Sequence, residues 1–120
     1  MIRRHTISFK HAFEGLKYAL STQPNFLVHL SLSALSVTLG MYLSISRFEW
    51  LVLSLTIIGG LVLELINTAI ESTVDLITDQ WHKDAKNAKD TAAAAMLLYA
   101  AGSVVIASII FIPKLLWLFT

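Results

Sequence analysis

The sequence predicts an all-α membrane protein, an N-terminal amphipathic surface helix followed by three transmembrane helices, and three observations carry that reading. Hydrophobic residues make up 56% of the 120-residue chain, and the mean hydropathy is +0.69, both above what a soluble domain of this length carries. The excess is gathered into three stretches, 26–46, 48–71 and 88–113, each close to the ~20 residues a helix needs to cross a hydrocarbon layer about 30 Å thick. Ahead of them, residues 6–21 place Phe9, Ala12, Phe13, Leu16, Ala19 and Leu20 on one side, the i, i+3, i+4, i+7 spacing of a half-apolar helix. Residues 1–120 read as one domain.

The first element carries Ser8, Lys10, His11, Glu14, Lys17 and Ser21 on its other face, so it suits a membrane surface with its lysines near anionic headgroups. Pro24 ends it. The first span follows, with His29 near its start reading as an interfacial residue that snorkels toward water. The second span begins near Phe48 and outlasts the bilayer. Its Gly59-Gly60 pair permits close approach of a neighbouring helix. The connection 79–87 is charged and too short to be a domain. The third span starts before or around Asn87, and the small side chains Ala92 to Ala95 read as a close-packing surface.

Charge sets the orientation. Arg3, Arg4, Lys10 and Lys17 precede the first span, and Lys83, Lys86 and Lys89 lie between the second and third, whereas Arg47 and Lys114 are isolated. The positive-inside rule then puts the N-terminus and the 72–90 segment in the cytoplasm. No secretory signal is expected at the N-terminus. The absence of cysteine removes disulfides, iron–sulfur clusters and thiol nucleophiles. No GxxxxGK[ST] loop is present, so a P-loop mechanism is excluded.

The second span is interrupted by polar residues in the run ELINTAIESTVD, residues 64–75. At about 100° per residue, Glu64, Asn67, Thr68, Glu71 and Asp75 fall within an arc of roughly 100°. Carboxylates at such depth are costly, which argues for chemistry over packing. For Asn67 and Thr68 alone, hydrogen bonds between helices would be an equal explanation. Two carboxylates two turns apart suit a site that handles phosphates. The deeper Glu64 lies at the level of a lipid hydroxyl and suits a general base; the shallower Glu71 lies where a nucleotide and a divalent cation arrive. Asn67 can orient either carboxylate, and Lys89 brings a point charge to polyphosphate. His82 and Trp81 are candidates to contact a nucleotide, while Asp75, Asp79 and Asp84 also fit a simple solvated face.

The stretch ELINTAIESTVDLITDQWHKDAKNAKDTAAAAMLL resembles the signature of the small integral-membrane prokaryotic diacylglycerol kinases, E-x-x-N-[ST]-A-I-E-x-x-V-D followed by A-K-D and a run of small residues. The resemblance covers essentially the whole chain. Ile58-Gly59-Gly60, Asp75 to Asp79, Ala85 to Asp90, His29 after the Thr22–Phe26 turn and the terminal Ile109 to Lys114 are more similar to the undecaprenol kinase branch of Gram-positive bacteria. The resemblance implies a multi-pass homotrimer of the bacterial cell membrane that moves the γ-phosphate of ATP, with Mg2+, to a lipid alcohol. Its partners would be that lipid, ATP, membrane lipids and further copies of itself, with no nucleic acid.

By motif position the resemblance implies Glu64 as general base and Glu71 as a magnesium ligand. It also places Arg4, Asn67, Asp75, Lys89 and Asp90 at the nucleotide and catalytic site. Two positions depart from the pattern. Gln23 stands where the family usually has a glutamate that helps bind magnesium, and a neutral amide oxygen offers a hard cation less charge. Ala94 stands where this branch commonly has glycine. The expected function is phosphorylation of undecaprenol. The alternatives are phosphorylation of diacylglycerol to phosphatidic acid and, from another class, a weakly active or inactive protein that binds lipid and nucleotide because of Gln23.

Overall fold

The structure, a computed structural model, describes residues 2–119, and side chains from Ile7 onward. The described chain is four helices: α1 (Ile2–Thr22), α2 (Pro24–Tyr42), α3 (Arg47–Ile77) and α4 (Lys83–Trp117). Helices α2, α3 and α4 are each long and apolar enough to cross a membrane. The chain is a membrane protein, and its architecture follows from how each helix is ended.

Helix α1 starts at Ile2, ahead of the segment read from its periodicity. In its last turn Ser21 Oγ and Thr22 Oγ1 bond back to the Tyr18 carbonyl at 3.0 and 2.8 Å. Gln23 is extended, φ −109°, ψ 103°, as the residue before a proline is constrained to be. Pro24 then takes the first turn of α2, where its missing N–H costs nothing. Ala19 and Phe26, on either side of this one-residue break, are buried. The Tyr18 hydroxyl lies 3.4 Å from Ser72 Oγ and ties α1 to α3.

Helix α2 stops at Tyr42, short of the 46 read from hydropathy, because the chain reverses there: Ser44 takes φ 50°. A Cβ on Gly40 would sit 3.0 Å from both Ile45 Cδ1 and Trp50 Cη2, so the turn packs tightly over this glycine. Ser46 and Glu49 start α3 with a reciprocal capping box: the Glu49 N–H donates to Ser46 Oγ at 3.2 Å and the Ser46 N–H to Glu49 Oε2 at 2.6 Å. The buried apolar cluster of Ile45, Leu53, Ile110 and Phe111 sits at this end, and Lys114 Nζ meets Glu49 Oε2 at 3.1 Å. Leu55, Ile58, Leu97, Leu98 and Ile109 face outward, as expected where the surrounding solvent is lipid.

Farther along, Tyr99 of α4 rests on Gly59 and Gly60, and its hydroxyl donates to the Thr56 carbonyl. A Cβ on Gly59 would run into that hydroxyl. The glycine pair therefore does what its small size suggested. Of the alanine run, by contrast, only Ala92 is buried within the chain; Ala93, Ala94 and Ala95 are exposed. At the opposite end from the apolar cluster, α3 ends at Ile77 and α4 begins at Lys83, with His82 as its N-cap: His82 Nδ1 accepts from the Asp84 N–H at 3.2 Å.

Candidate active site

Helix α3 has 31 residues, a length of about 46 Å at 1.5 Å per residue. Counting about 20 residues from Arg47 exhausts the hydrocarbon near Ile66. On that count Glu64 stands near the end of the apolar stretch away from Arg47, with Glu71 about 10 Å farther along and Asp75 one turn beyond. The three carboxylates are thus spaced successively along one helix.

Glu64 is 1% exposed. Asn67 and Thr68 are buried as well, so three of the five face residues are closed off within the chain. Their hydrogen bonds stay within α3: Thr68 Oγ1 donates to the Glu64 carbonyl at 2.8 Å, and Asn67 Nδ2 donates to Glu71 Oε1 at 3.1 Å. Within the described chain, neither bond reaches another helix. Glu64 Oε1 and Asn67 Oδ1 are buried with no hydrogen-bond partner. Unsatisfied buried acceptors are costly, and at a functional site they mark where a ligand completes the set.

Asp75, farther along α3, is exposed and accepts from Lys89 Nζ across to α4 at 2.5 Å. Lys86 pairs with Asp90 one turn along α4. Between the end of α3 and the start of α4 is an open polar cleft of about 320 Å³, lined by Asp75, Asp79, Trp81, His82, Lys89 and Asp90. Five residues expected at the nucleotide, Asp75, Trp81, His82, Lys89 and Asp90, therefore share one cleft. His82 has a second duty there, because its Nδ1 caps α4 and only the rest of its ring is free to meet a ligand.

Gln23 stands in the α1–α2 turn, half-buried, with Nε2 donating to Thr22 Oγ1 at 3.4 Å; no hydrogen bond joins it to Glu71. The side chain of Arg4 lies outside the described residues. His29 is where the structure departs most from the sequence reading: it is not a snorkelling interfacial residue but turns inward, its Nε2 3.9 Å from Glu64 Oε2. A signal existed in the periodicity, since His29, Ser33 and Ser36 at i, i+4, i+7 make a polar stripe on α2; all three line one cavity.

Among the described residues no three His, Cys, Asp or Glu side chains converge on a point. Glu71 and Asn67 offer a carboxylate and an unpartnered amide oxygen. Hard oxygen donors in small number fit magnesium, which keeps several waters or phosphate oxygens and rarely sits in an all-protein cage.

The family model described as prokaryotic diacylglycerol kinase matches residues 10–111. Undecaprenol kinase of Bacillus subtilis is 43% identical over 114 residues, covering 95% of this chain and 93% of that protein. Diacylglycerol kinase of Synechocystis sp. is 41% identical over 111 residues, 92% of this chain but 63% of that protein. Diacylglycerol kinase of Helicobacter pylori (strain J99) is 36% identical over 85 residues, 71% of this chain and 66% of the relative. With residues 10–111 matched and relatives aligned across most of its length, the chain belongs to the prokaryotic diacylglycerol kinase family and is a membrane lipid kinase.

Proposed function

We propose that the chain transfers the γ-phosphate of ATP to the hydroxyl of undecaprenol, giving undecaprenyl phosphate at the cytoplasmic face of the bacterial membrane. The observation that carries this reading is the continuous polar face of α3, which runs from a buried, half-unpartnered Glu64 to an open cleft holding Asp75, Lys89 and Asp90. A lipid hydroxyl arrives from the bilayer at the Glu64 end, and a nucleotide arrives from water at the cleft. The choice of undecaprenol over diacylglycerol rests on the similarity to the B. subtilis enzyme over nearly both full lengths.

In this reading Glu64 accepts the hydroxyl proton as the lipid oxygen attacks the γ-phosphoryl group. Lys89, released from Asp75 by a competing phosphate, neutralises developing negative charge. Asn67 holds Glu71 through its amide N–H and keeps its own oxygen free. Glu71, with Asn67 and the Gln23 amide oxygen, would hold Mg2+, which when bound screens the phosphate charges. Asp75, His82 and Asp90 shape the nucleotide end, and Arg4 approaches phosphate from α1. That helix lies on the membrane surface, since Phe9 and Phe13 are 70% and 71% exposed and need lipid to cover them. A homotrimer, the assembly the family resemblance implies, would set a neighbouring copy beside this face of α3.

The test is a side-by-side kinase assay of the purified protein with undecaprenol and diacylglycerol in the same micelles, at equal mole fraction. A clear preference for undecaprenol is expected. Equal rates, or faster phosphorylation of diacylglycerol, would overturn the substrate assignment and leave the kinase in place.

A further inference from the structure

The geometry points to His29 as a positioning residue for Glu64, a role that rests on the reading of Glu64 as the base. Glu64 belongs to α3 and His29 to α2. Among the described residues, the imidazole is the one side chain at ion-pair distance from the Glu64 carboxylate, with Nε2 3.9 Å from Oε2, and the carboxylate's other oxygen has no partner.

Both edges of the ring are accounted for. A Cβ on Gly60 would lie 3.8 Å from His29 Nδ1, so the Nδ1 edge sits over the bare backbone of α3 at Gly60. Gly60 and Glu64 are one turn apart on the same face, and the ring spans that turn with Nε2 directed at the carboxylate. The backbone beneath the ring is tied down as well, because Ser33 Oγ donates to the His29 carbonyl at 2.7 Å. The residue is half-buried and lines an apolar cavity of about 230 Å³ between α2, α3 and α4.

A carboxylate on a flexible side chain presents either oxygen in many directions, and a base serves only when one lone pair meets the attacking hydroxyl. A ring nitrogen carrying its proton at Nε2 claims Oε2 and leaves Oε1 as the acceptor. The present separation is longer than a hydrogen bond, and closing it takes a shift of about 1 Å. Such contacts in free enzymes commonly tighten when substrate binds. No covalent step is assigned to His29. Its contribution is the direction in which Glu64 faces, and a misplacement of about 1 Å is enough to cost on the order of 100-fold in rate.

The experiment compares H29L, which keeps bulk without a donor, with H29Q, which keeps an N–H at similar reach, in the full-length protein reconstituted with undecaprenol and, in parallel, diacylglycerol. H29L is expected to lose roughly 10- to 100-fold in kcat with the KM for ATP unchanged, and H29Q to recover most of that loss. In the E64Q background H29L should change nothing further. Should leucine prevent folding, H29N, polar but too short to reach, takes its place with the same expectation. Parental kcat in H29L, equal losses in H29L and H29Q, or an effect confined to the KM for ATP would each overturn the positioning role. Failure of the functional reading looks different: a parental protein inactive on both lipids, or an E64Q variant at the parental rate, overturns the base assignment and His29's role with it.

Discussion

A carboxylate that is 1% exposed on a lipid-spanning helix is tolerated only where something repays its desolvation, and at Glu64 the described contacts alone do not: one oxygen has no partner and the other has only His29 at 3.9 Å. Glu64→Gln keeps the shape and removes the base, so turnover should fall by at least 100-fold while nucleotide binding, measured by calorimetry, stays within about twofold. At Gln23 the expected change is a gain: Gln23→Glu adds charge toward a hard cation and should lower the magnesium concentration for half-maximal activity several-fold. A magnesium titration unchanged by that substitution would remove residue 23 from the metal site. The α3 face was legible in the sequence because spacing within one helix fixes which side chains share a side. His29 was not, because its partner lies 35 positions away on another helix, and no local periodicity reports which helices touch.

At the scale of elements, the ends of the helices are written locally and the seats between them are not. Ser46 and Glu49 satisfy each other's backbone N–H groups, and Ser46→Ala should cost about 1 kcal/mol of stability in detergent unfolding. The α3–α4 seat depends on Tyr99 lying over Gly59 and Gly60. Gly59→Ala puts a methyl group against the Tyr99 hydroxyl and should destabilise the protein by about 1–3 kcal/mol. Tyr99→Ala in the same chain removes that clash, so the two changes should be non-additive in thermal unfolding. Additive losses would show that the two residues do not form one seat. The glycine pair could be read as a place of close approach from sequence, but the residue it receives could not. Ala93 to Ala95, small yet exposed within the chain, make the same point: small size permits packing without specifying a partner.

For the molecule as a whole, the sequence carries no cysteine, so a single introduced thiol reports topology without background. Asp79→Cys should react with an impermeant maleimide only from the cytoplasmic side and Arg47→Cys only from the other. Labelling of both from one side would overturn the orientation. The sequence by itself determined that the chain is a membrane protein with three candidate spans, how its carboxylates are spaced along one of them, and which motif they form, because helical pitch converts residue number directly into position along a helix. The tertiary structure alone decided that Asp75, His82, Lys89 and Asp90 share a cleft, that Tyr99 fills the seat at Gly59 and Gly60, and that His29 faces Glu64. The physical reason is that helix–helix packing selects among faces of nearly equal hydrophobicity, and that selection rests on shape complementarity between distant segments.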